Sequence, residues 1–118
     1  MDSILTSVKK KLGVTPEHTE FDSEIVDHIN SVFADLAQMG VGPSKGFSIV
    51  DDTAIWDDFI YDSLLLQSVK SYVFLRVKIL FDSASMGSAT LASYERQISQ
   101  WEWRLTVAAE SERTNETL

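Results

Sequence analysis

The chain has 118 residues, a length that fits one domain with a single hydrophobic core. It contains no cysteine, which excludes disulfide bonds, thiolate metal sites and cysteine nucleophiles. Eighteen acidic residues against ten basic ones give a formal net charge of -8, and this balance disfavours autonomous binding of DNA or RNA, which requires a basic surface.

The pattern of apolar residues does not favour a membrane protein. The longest apolar-rich stretch, residues 64–81, is interrupted by serine, glutamine, lysine and arginine, so it is too polar to cross a bilayer. The first five residues lack the basic and apolar regions of a signal peptide. We therefore expect the protein to remain in the cytoplasm in which it is translated, without contact with a membrane.

Residues 2–13 are expected to form a short first helix that ends at Gly13. Its apolar residues recur at helical spacing and are Ile4, Leu5, Val8 and Leu12. The three lysines at positions 9–11 lie in the last turn, where they favour the helix dipole and are expected to be solvated. A small contact with nucleic acid is the less favoured interpretation of these lysines.

A second helix is expected from about Phe21 or Asp22 to Met39, with Asp22 or Ser23 starting it and Gly40 ending it. Its apolar stripe consists of Phe21, Ile25, Ile29, Val32, Phe33 and Leu36. The polar residues expected on the solvent side are Glu24, Asp27 and Asn30. This pattern is typical of an amphipathic helix that covers one side of a core.

Residues 40–52 are expected to form the main loop, because three glycines and one proline disfavour a helix there. Phe47, Ile49 and Val50 are nevertheless too apolar for a loop surrounded by water. The favoured expectation is that this segment folds back on the core of its own chain. Pairing with another chain is the alternative.

Residues 53–59 are expected to add one or two helical turns, capped by Asp52 or Thr53. A third long helix is expected from about Ser63 to Phe81. Its apolar residues cover more than one stripe and are Leu65, Leu66, Val69, Tyr72, Val73, Val77, Leu80 and Phe81. A helix that is apolar on most sides is central, surrounded by neighbouring helices or by other subunits.

A fourth helix is expected from Ser88 to about Ala109, after a break at residues 82–87. Its apolar seam has alternating spacings of three and four and consists of Leu91, Tyr94, Ile98, Trp101, Leu105 and Ala108. Residues 110–118 are polar and are expected to be a disordered, flexible tail. The predicted fold is therefore all-α, a bundle of about four helices with one long central loop, in a domain spanning residues 1–109.

The side chains that could support catalysis or metal binding do not form a known pattern. His18 and His28 are ten positions apart and belong to no ligand motif. The acidic cluster lacks the ligand register of a calcium loop and consists of Asp51, Asp52, Asp57, Asp58 and Asp62. We expect it to serve helix capping and solvation. The sequence thus predicts no catalytic residue, no metal site, no cofactor and no enzymatic activity.

Aromatic residues outside the core are the strongest functional signal. The chain has three tryptophans, at positions 56, 101 and 103, more than a small helical core usually needs. Trp103 lies about 200° around the helix from Trp101, away from the apolar seam. Exposed tryptophans are enriched at protein interfaces. We therefore favour an interface role for Trp103, with packing beneath the first helix or the main loop as the alternative.

Short segments in a fixed order carry a resemblance to a known family. They are Phe21-Asp22, Gly-Val-Gly-Pro at 40–43, Trp-Asp-Asp-Phe at 56–59, Leu-Phe-Asp at 80–82, Glu-Arg-Gln-Ile at 95–98 and Trp-Arg-Leu at 103–105. With the long helix that joins them, they resemble the head–tail connector proteins of long-tailed bacteriophages, also called head completion or adaptor proteins. The resemblance extends from about Ile4 to Val107.

The resemblance implies a structural virion protein at the neck of the phage, assembled in the cytoplasm of the host bacterium. It implies a ring of about twelve copies beneath the portal protein, which extends the DNA channel and carries a stopper or tail-completion protein. Genomic DNA would pass through the ring without sequence-specific binding. A small helical, dimeric regulatory or protein-binding module, joined through residues 91–108, is the alternative function.

Ring formation requires two different faces of one subunit to meet. We expect Phe47, Ile49 and Val50 of the main loop to form one of these faces. Exposed positions on the third and fourth helices, with Trp103 as the candidate, are expected to form the other.

Overall fold

A computed structural model describes residues 3–60 and 63–117 of the chain. Within them the protein is all-helical, and its helices are α1 (Ile4–Leu12), α2 (Asp22–Gln38), α3 (Trp56–Phe59), α4 (Ser63–Asp82) and α5 (Ser88–Thr117), with a 3₁₀ turn at Ser83–Ser85. The predicted all-α bundle is confirmed, and the main loop joins α2 to the short α3. No described helix is both long and apolar enough to span a bilayer.

The first helix begins at a side-chain cap and ends at a glycine. The Ser3 hydroxyl oxygen accepts a hydrogen bond from the backbone N–H of Thr6 at 3.2 Å. At the other end Gly13 adopts a left-handed conformation with φ 79°, as the sequence predicts. The predicted start at residue 2 lies outside the described residues.

One lysine of α1 is not solvated as its position in the last turn suggests. The side chain of Lys9 is 3% exposed, and its Nζ lies 2.7 Å from Oδ1 of Asp22. The same ammonium donates a hydrogen bond to the carbonyl oxygen of Pro16 at 3.2 Å. A buried ammonium requires such partners, so Lys9 joins the end of α1 to the start of α2.

The second helix buries the predicted stripe. Its fully or nearly fully buried residues are Ile25, Ile29, Val32, Phe33 and Leu36. Phe21 precedes the helix, is 39% exposed, and makes no side-chain cap. The helix begins at Asp22, as predicted, and the Asp22 carboxylate lies at the positive end of the helix dipole.

Helix α4, which corresponds to the third long helix expected from the sequence, is central, as predicted. Its residues with no solvent exposure are Val69, Tyr72, Val73 and Val77. It contacts α1, α2 and α5. Phe74 faces α1 and α3, since the Lys11 ammonium and the Trp56 ring both lie against it. Tyr72 and Arg76, about 200° away around the helix, face α5 through Glu102.

The last helix packs its apolar seam on α4. Leu105 is fully buried, and Ile98 and Trp101 are partly buried against the core. The helix continues to Thr117, past the predicted end near Ala109, since residues 110–117 contain no glycine or proline to stop it. A tail at 110–118 that is disordered in the free protein stays a prediction, as does the domain boundary before it. Leu118 lies outside the described residues.

The short α3 is fixed to α1. The Ile4 backbone N–H donates to the Ala54 carbonyl at 3.0 Å, and the Trp56 indole N–H donates to the Ser7 hydroxyl at 2.8 Å. The predicted cap by Asp52 or Thr53 is wrong, because the helix begins later, at Trp56. Asp58 instead accepts a hydrogen bond from the backbone N–H of Ile55 at 3.0 Å. These contacts fix the exit of the main loop.

Candidate interaction surfaces

The main loop is fixed to α2 by one amide side chain. The Asn30 carbonyl oxygen accepts from the backbone N–H of Ile49 at 2.7 Å, and the Asn30 amide donates to the Ile49 carbonyl at 2.9 Å. Ile49 is 3% exposed, and a buried residue requires partners for its backbone N–H and carbonyl groups. Asn30 supplies both partners. Asn30 was expected on the solvent side of α2. The sequence carries no signal for this pairing, because its partner is nineteen residues away.

An aromatic cluster packs the same loop against the core. The Phe47 ring lies edge-on to Phe33 and Phe59, with centroid separations of 5.2 Å and 5.4 Å. Gly42 approaches Phe59 so closely that a Cβ would lie 2.6 Å from its ring carbons. The Gly42 backbone has φ +91°, a conformation in which other residues are strained. The favoured expectation, that the loop folds back on its own core, is confirmed for Phe47 and Ile49.

The four predicted interface residues fall into two groups. Phe47 and Ile49 contact the core of their own chain. Val50 and Trp103 are 84% and 69% exposed. In this conformation the loop therefore presents Val50, and α5 presents Trp103, to a neighbouring molecule.

Val50 lies at the edge of a groove of about 380 Å³ between α1, the start of α2 and the end of the main loop. We name it the acidic groove. Its apolar lining residues are Leu5, Val26 and Val50. Its carboxylates belong to Asp22, Asp27, Asp51 and Asp52, with Ser23 beside them. The groove therefore combines an apolar surface with a high density of negative charge.

The carboxylates of the acidic groove differ in their partners. Asp22 is paired with Lys9. Asp51 accepts hydrogen bonds from the hydroxyl and the backbone N–H of Thr53 at 2.6 Å and 2.9 Å, and these bonds lower the pKa of Asp51. The side chains of Asp27 and Asp52 form no hydrogen bond or ion pair within the part of the chain that the structure describes. Their charges are open to a partner.

The side of α5 that faces away from α4 carries a second surface. It consists of Arg96, Ser99, Gln100, Trp103, Arg104 and Val107, and we name it the outer face of α5. Val107 lies one turn after Trp103 and is 41% exposed. The Arg104 guanidinium lies 5.1 Å from the Trp101 ring centroid. Neither arginine forms an ion pair with a described residue, so this surface is apolar and basic.

A polar cluster joins α2, α4 and α5. Arg76 donates hydrogen bonds to Oδ2 of Asp35 at 2.8 Å and to the Tyr72 hydroxyl. The Tyr72 hydroxyl in turn donates to Oε2 of Glu102 at 2.8 Å. Burial of the ring, and then the bond to Glu102, raise the pKa of Tyr72 well above its ordinary value. The cluster fixes α5 on α4 at one position, which sets the direction of Trp103.

Among the described residues, the histidines and carboxylates do not form a cluster of the kind that holds a metal ion. His28 Nε2 lies 3.6 Å from Oε1 of Glu24, and the His18 ring stacks on Phe21 at 5.5 Å. Among the residues whose placement is described, no three histidine or carboxylate side chains are grouped as metal ligands. Asp62, one member of the acidic cluster considered from the sequence, lies outside that set.

The family model described as phage connector protein matches residues 4–112 of the chain. No curated protein and no solved structure matches it. The matched range includes both the acidic groove and the outer face of α5.

Proposed function

The chain belongs to the phage connector protein family, and from this we propose that it forms a ring between the portal protein and the tail at the capsid vertex. Membership of the family makes it a structural protein of the phage head–tail junction and a component of the virion. The proposed ring contains about twelve copies, assembled in the host cytoplasm. It extends the DNA channel and carries a stopper or tail-completion protein.

The positions of the two exposed surfaces support a head-to-tail ring. A ring needs two different, complementary faces on each subunit. Val50 lies beside α1 and α2, whereas Trp103 lies on α5, and α4 packs between α1 and α5. Val50 and Trp103 are thus on separate sides of the molecule. This separation is the observation on which the proposal depends.

The four predicted interface residues have different parts in this proposal. Val50 and Trp103 contact the neighbouring subunits directly, because both are largely exposed. Phe47 and Ile49 act on the interface indirectly, because their core contacts fix the loop that carries Val50. Exchange of Phe47 or Ile49 for aspartate would therefore bury a charge and destabilise the subunit itself.

The net charge of -8 supports a channel through which DNA passes without binding. Phosphates are repelled by an acidic wall, and no counterion release favours attachment. We propose that genomic DNA is threaded through the ring and makes no sequence-specific contact, and that the subunit needs no cofactor and performs no catalysis.

A deletion of the gene in its phage or prophage tests the proposed function. We expect DNA-filled heads and free tails that fail to join, and rescue by the wild-type gene supplied in trans. Electron microscopy of the lysate distinguishes these particles. Normal numbers of tailed, infectious particles after the deletion would contradict the proposal.

The alternative, a dimeric regulatory module joined through residues 91–108, receives less support. The seam that would form the dimer is used within the chain, since Leu105 is fully buried and Trp101 packs against the core. Light scattering separates the two functions by mass. A discrete dimer that does not assemble further would favour the regulator.

A further inference from the structure

We propose that the acidic groove of one subunit receives Trp103 and Arg104 from the outer face of α5 of the next copy. This inference rests on the proposed ring and adds the pair of surfaces that closes it. The occupant of the groove is thus a second copy of this chain. The contact is heterologous, since the groove and the outer face belong to different parts of each subunit.

Charge complementarity is the first argument. Asp27 and Asp52 have no partner within the described chain, and both line the groove. Arg96 and Arg104 likewise have no carboxylate partner in the same part of the molecule, and both lie on the outer face of α5. Two arginines without a carboxylate partner therefore lie on the same face of α5 as an exposed tryptophan. Opposite charges of this kind fix the register of an interface and suppress wrong partners.

Apolar complementarity is the second argument. Val50 and Trp103 are 84% and 69% exposed, and each leaves apolar surface in water in the isolated subunit. The groove floor is apolar, with Leu5 and Val26, and its volume of about 380 Å³ can admit an indole ring. Tryptophan and arginine are the residues that most often dominate interface energies, and both act best when surrounded by groups that exclude water.

The placement of the two surfaces is the third argument. Trp101 packs against the core, and Trp103 is about 200° further around α5, so it points away from α4. Phe74 faces α1 on the opposite side of α4 from Tyr72, which bonds to α5. The groove therefore lies on the far side of α4 from the outer face of α5. A subunit cannot fill its own groove with Trp103, and successive copies can join in one direction.

Two double variants test this pairing. Asp27→Arg with Asp52→Arg reverses the charge of the groove, and Trp103→Ala with Arg104→Ala removes the outer face of α5. None of the four side chains is buried, so we expect wild-type helical circular dichroism for both variants. Sedimentation velocity at a concentration where the wild-type chain assembles should show each variant as a monomer, with self-association weakened at least tenfold.

Mixing the two variants provides the sharper measurement. One partner keeps an intact outer face of α5, and the other keeps an intact groove, so a single functional contact can form. We expect a one-to-one heterodimer that grows no further. The matched controls are Lys45→Glu, a charge reversal at an exposed loop residue, and Leu64→Ser at an exposed apolar residue of α4. Both should assemble as the wild-type chain does.

The outcomes separate this inference from the proposed function. If the wild-type chain and both double variants form the same rings, the proposed contact between the groove and the outer face of α5 is wrong, whereas the proposed ring is supported. If the mixture forms full rings, the two surfaces do not meet each other. If the wild-type chain stays monomeric at every concentration and in the presence of its portal protein, the proposed ring and the proposed contact are both wrong.

Discussion

Asn30 and Gly42 show how single residues decide the form of the main loop. Asn30 satisfies both backbone groups of Ile49, which lets an apolar residue of a loop be buried without an unpaired amide. Gly42 leaves space for the Phe59 ring at a position where a Cβ would collide with it. Together they present Val50 to solvent at a fixed position. The proposed interface therefore depends on residues that it does not contain.

Substitution of Gly42 by alanine should destabilise the protein strongly. A non-glycine residue at φ +91° costs about 1–2 kcal/mol, and displacement of the Phe59 ring adds about 1–3 kcal/mol. Gly46→Ala is the matched control, since its φ is +85° but no atom lies within 4 Å of its Cβ position. Urea unfolding should show the larger loss for Gly42→Ala. Equal losses in the two variants would contradict the close packing against Phe59.

The raised pKa of Tyr72 should make the protein less stable in alkaline solution. Its pKa in the folded state lies above the ordinary value of 10.0, so below pH 10 both the folded and unfolded states hold the proton. Above pH 10 the unfolded state loses the proton first, and the free energy of unfolding falls by up to ~1.4 kcal/mol per pH unit. Denaturant unfolding between pH 8 and 11 measures this slope.

Tyr72→Phe should be less stable at pH 8, because it loses the bonds to Arg76 and Glu102, and should show a shallower alkaline slope. Tyr94→Phe is the control that leaves Tyr72 in place, and it should keep the wild-type slope. If Tyr72→Phe keeps the same slope, then burial of the phenol does not govern the alkaline behaviour.

Among the secondary-structure elements, the long helices were predictable and their connections were less so. Apolar periodicity predicted α2 and α4 to within a residue or two at their ends, because burial of one stripe repeats with the helical turn. The end of α5 lies beyond the predicted end near Ala109, because the polar residues that follow contain no glycine or proline to break the helix. Lys9–Asp22 and Asn30–Ile49 were missed because such polar pairs depend on tertiary contacts that sequence spacing does not encode.

The two candidate interaction surfaces could be predicted only in part, because tertiary contacts form one of them. The position of Trp103 off the seam follows from helical geometry, and its exposure agrees with it. The acidic groove could not be predicted, because its lining comes from α1, α2 and the loop end, which meet through folding.

The two sides of α5 should respond differently to truncation. Leu105→Ala removes a fully buried side chain and should cost about 2–5 kcal/mol of unfolding free energy through the cavity it leaves. Trp103→Ala removes a side chain that is 69% exposed and should cost much less. Denaturant unfolding of the two variants at equal concentration provides the comparison. A larger loss for Trp103→Ala would reverse the assigned orientation of the helix.

Deletion of residues 110–118 tests the end of α5. The last core residue described on this helix is Ala109, so the unfolding midpoint and helical circular dichroism should stay close to wild type. Virion assembly should be impaired, since we expect this segment to dock on the portal or stopper protein. Plaque counts in complementation measure assembly, with full-length protein as the control. Normal counts would remove the docking role.

At the scale of the whole molecule, the chain is a small helical body with an acidic groove and an apolar, basic helix face on opposite sides of α4, and we propose that these two surfaces are complementary. An acidic groove and an apolar, basic helix face suit repeated head-to-tail association better than a closed pair. Membership of the phage connector family would place the proposed association at the head–tail junction of the virion. The charge of -8 then suits a structure that surrounds DNA and releases it.

Electron microscopy of the purified protein, alone and with its portal protein, measures the assembly directly. We expect closed rings of uniform size with an open central channel, since a heterologous contact with the correct rotation closes on itself. The concentration at which rings appear should rise when Trp103 is replaced by alanine. Solitary particles under every condition, with no binding to the portal protein, would contradict the account.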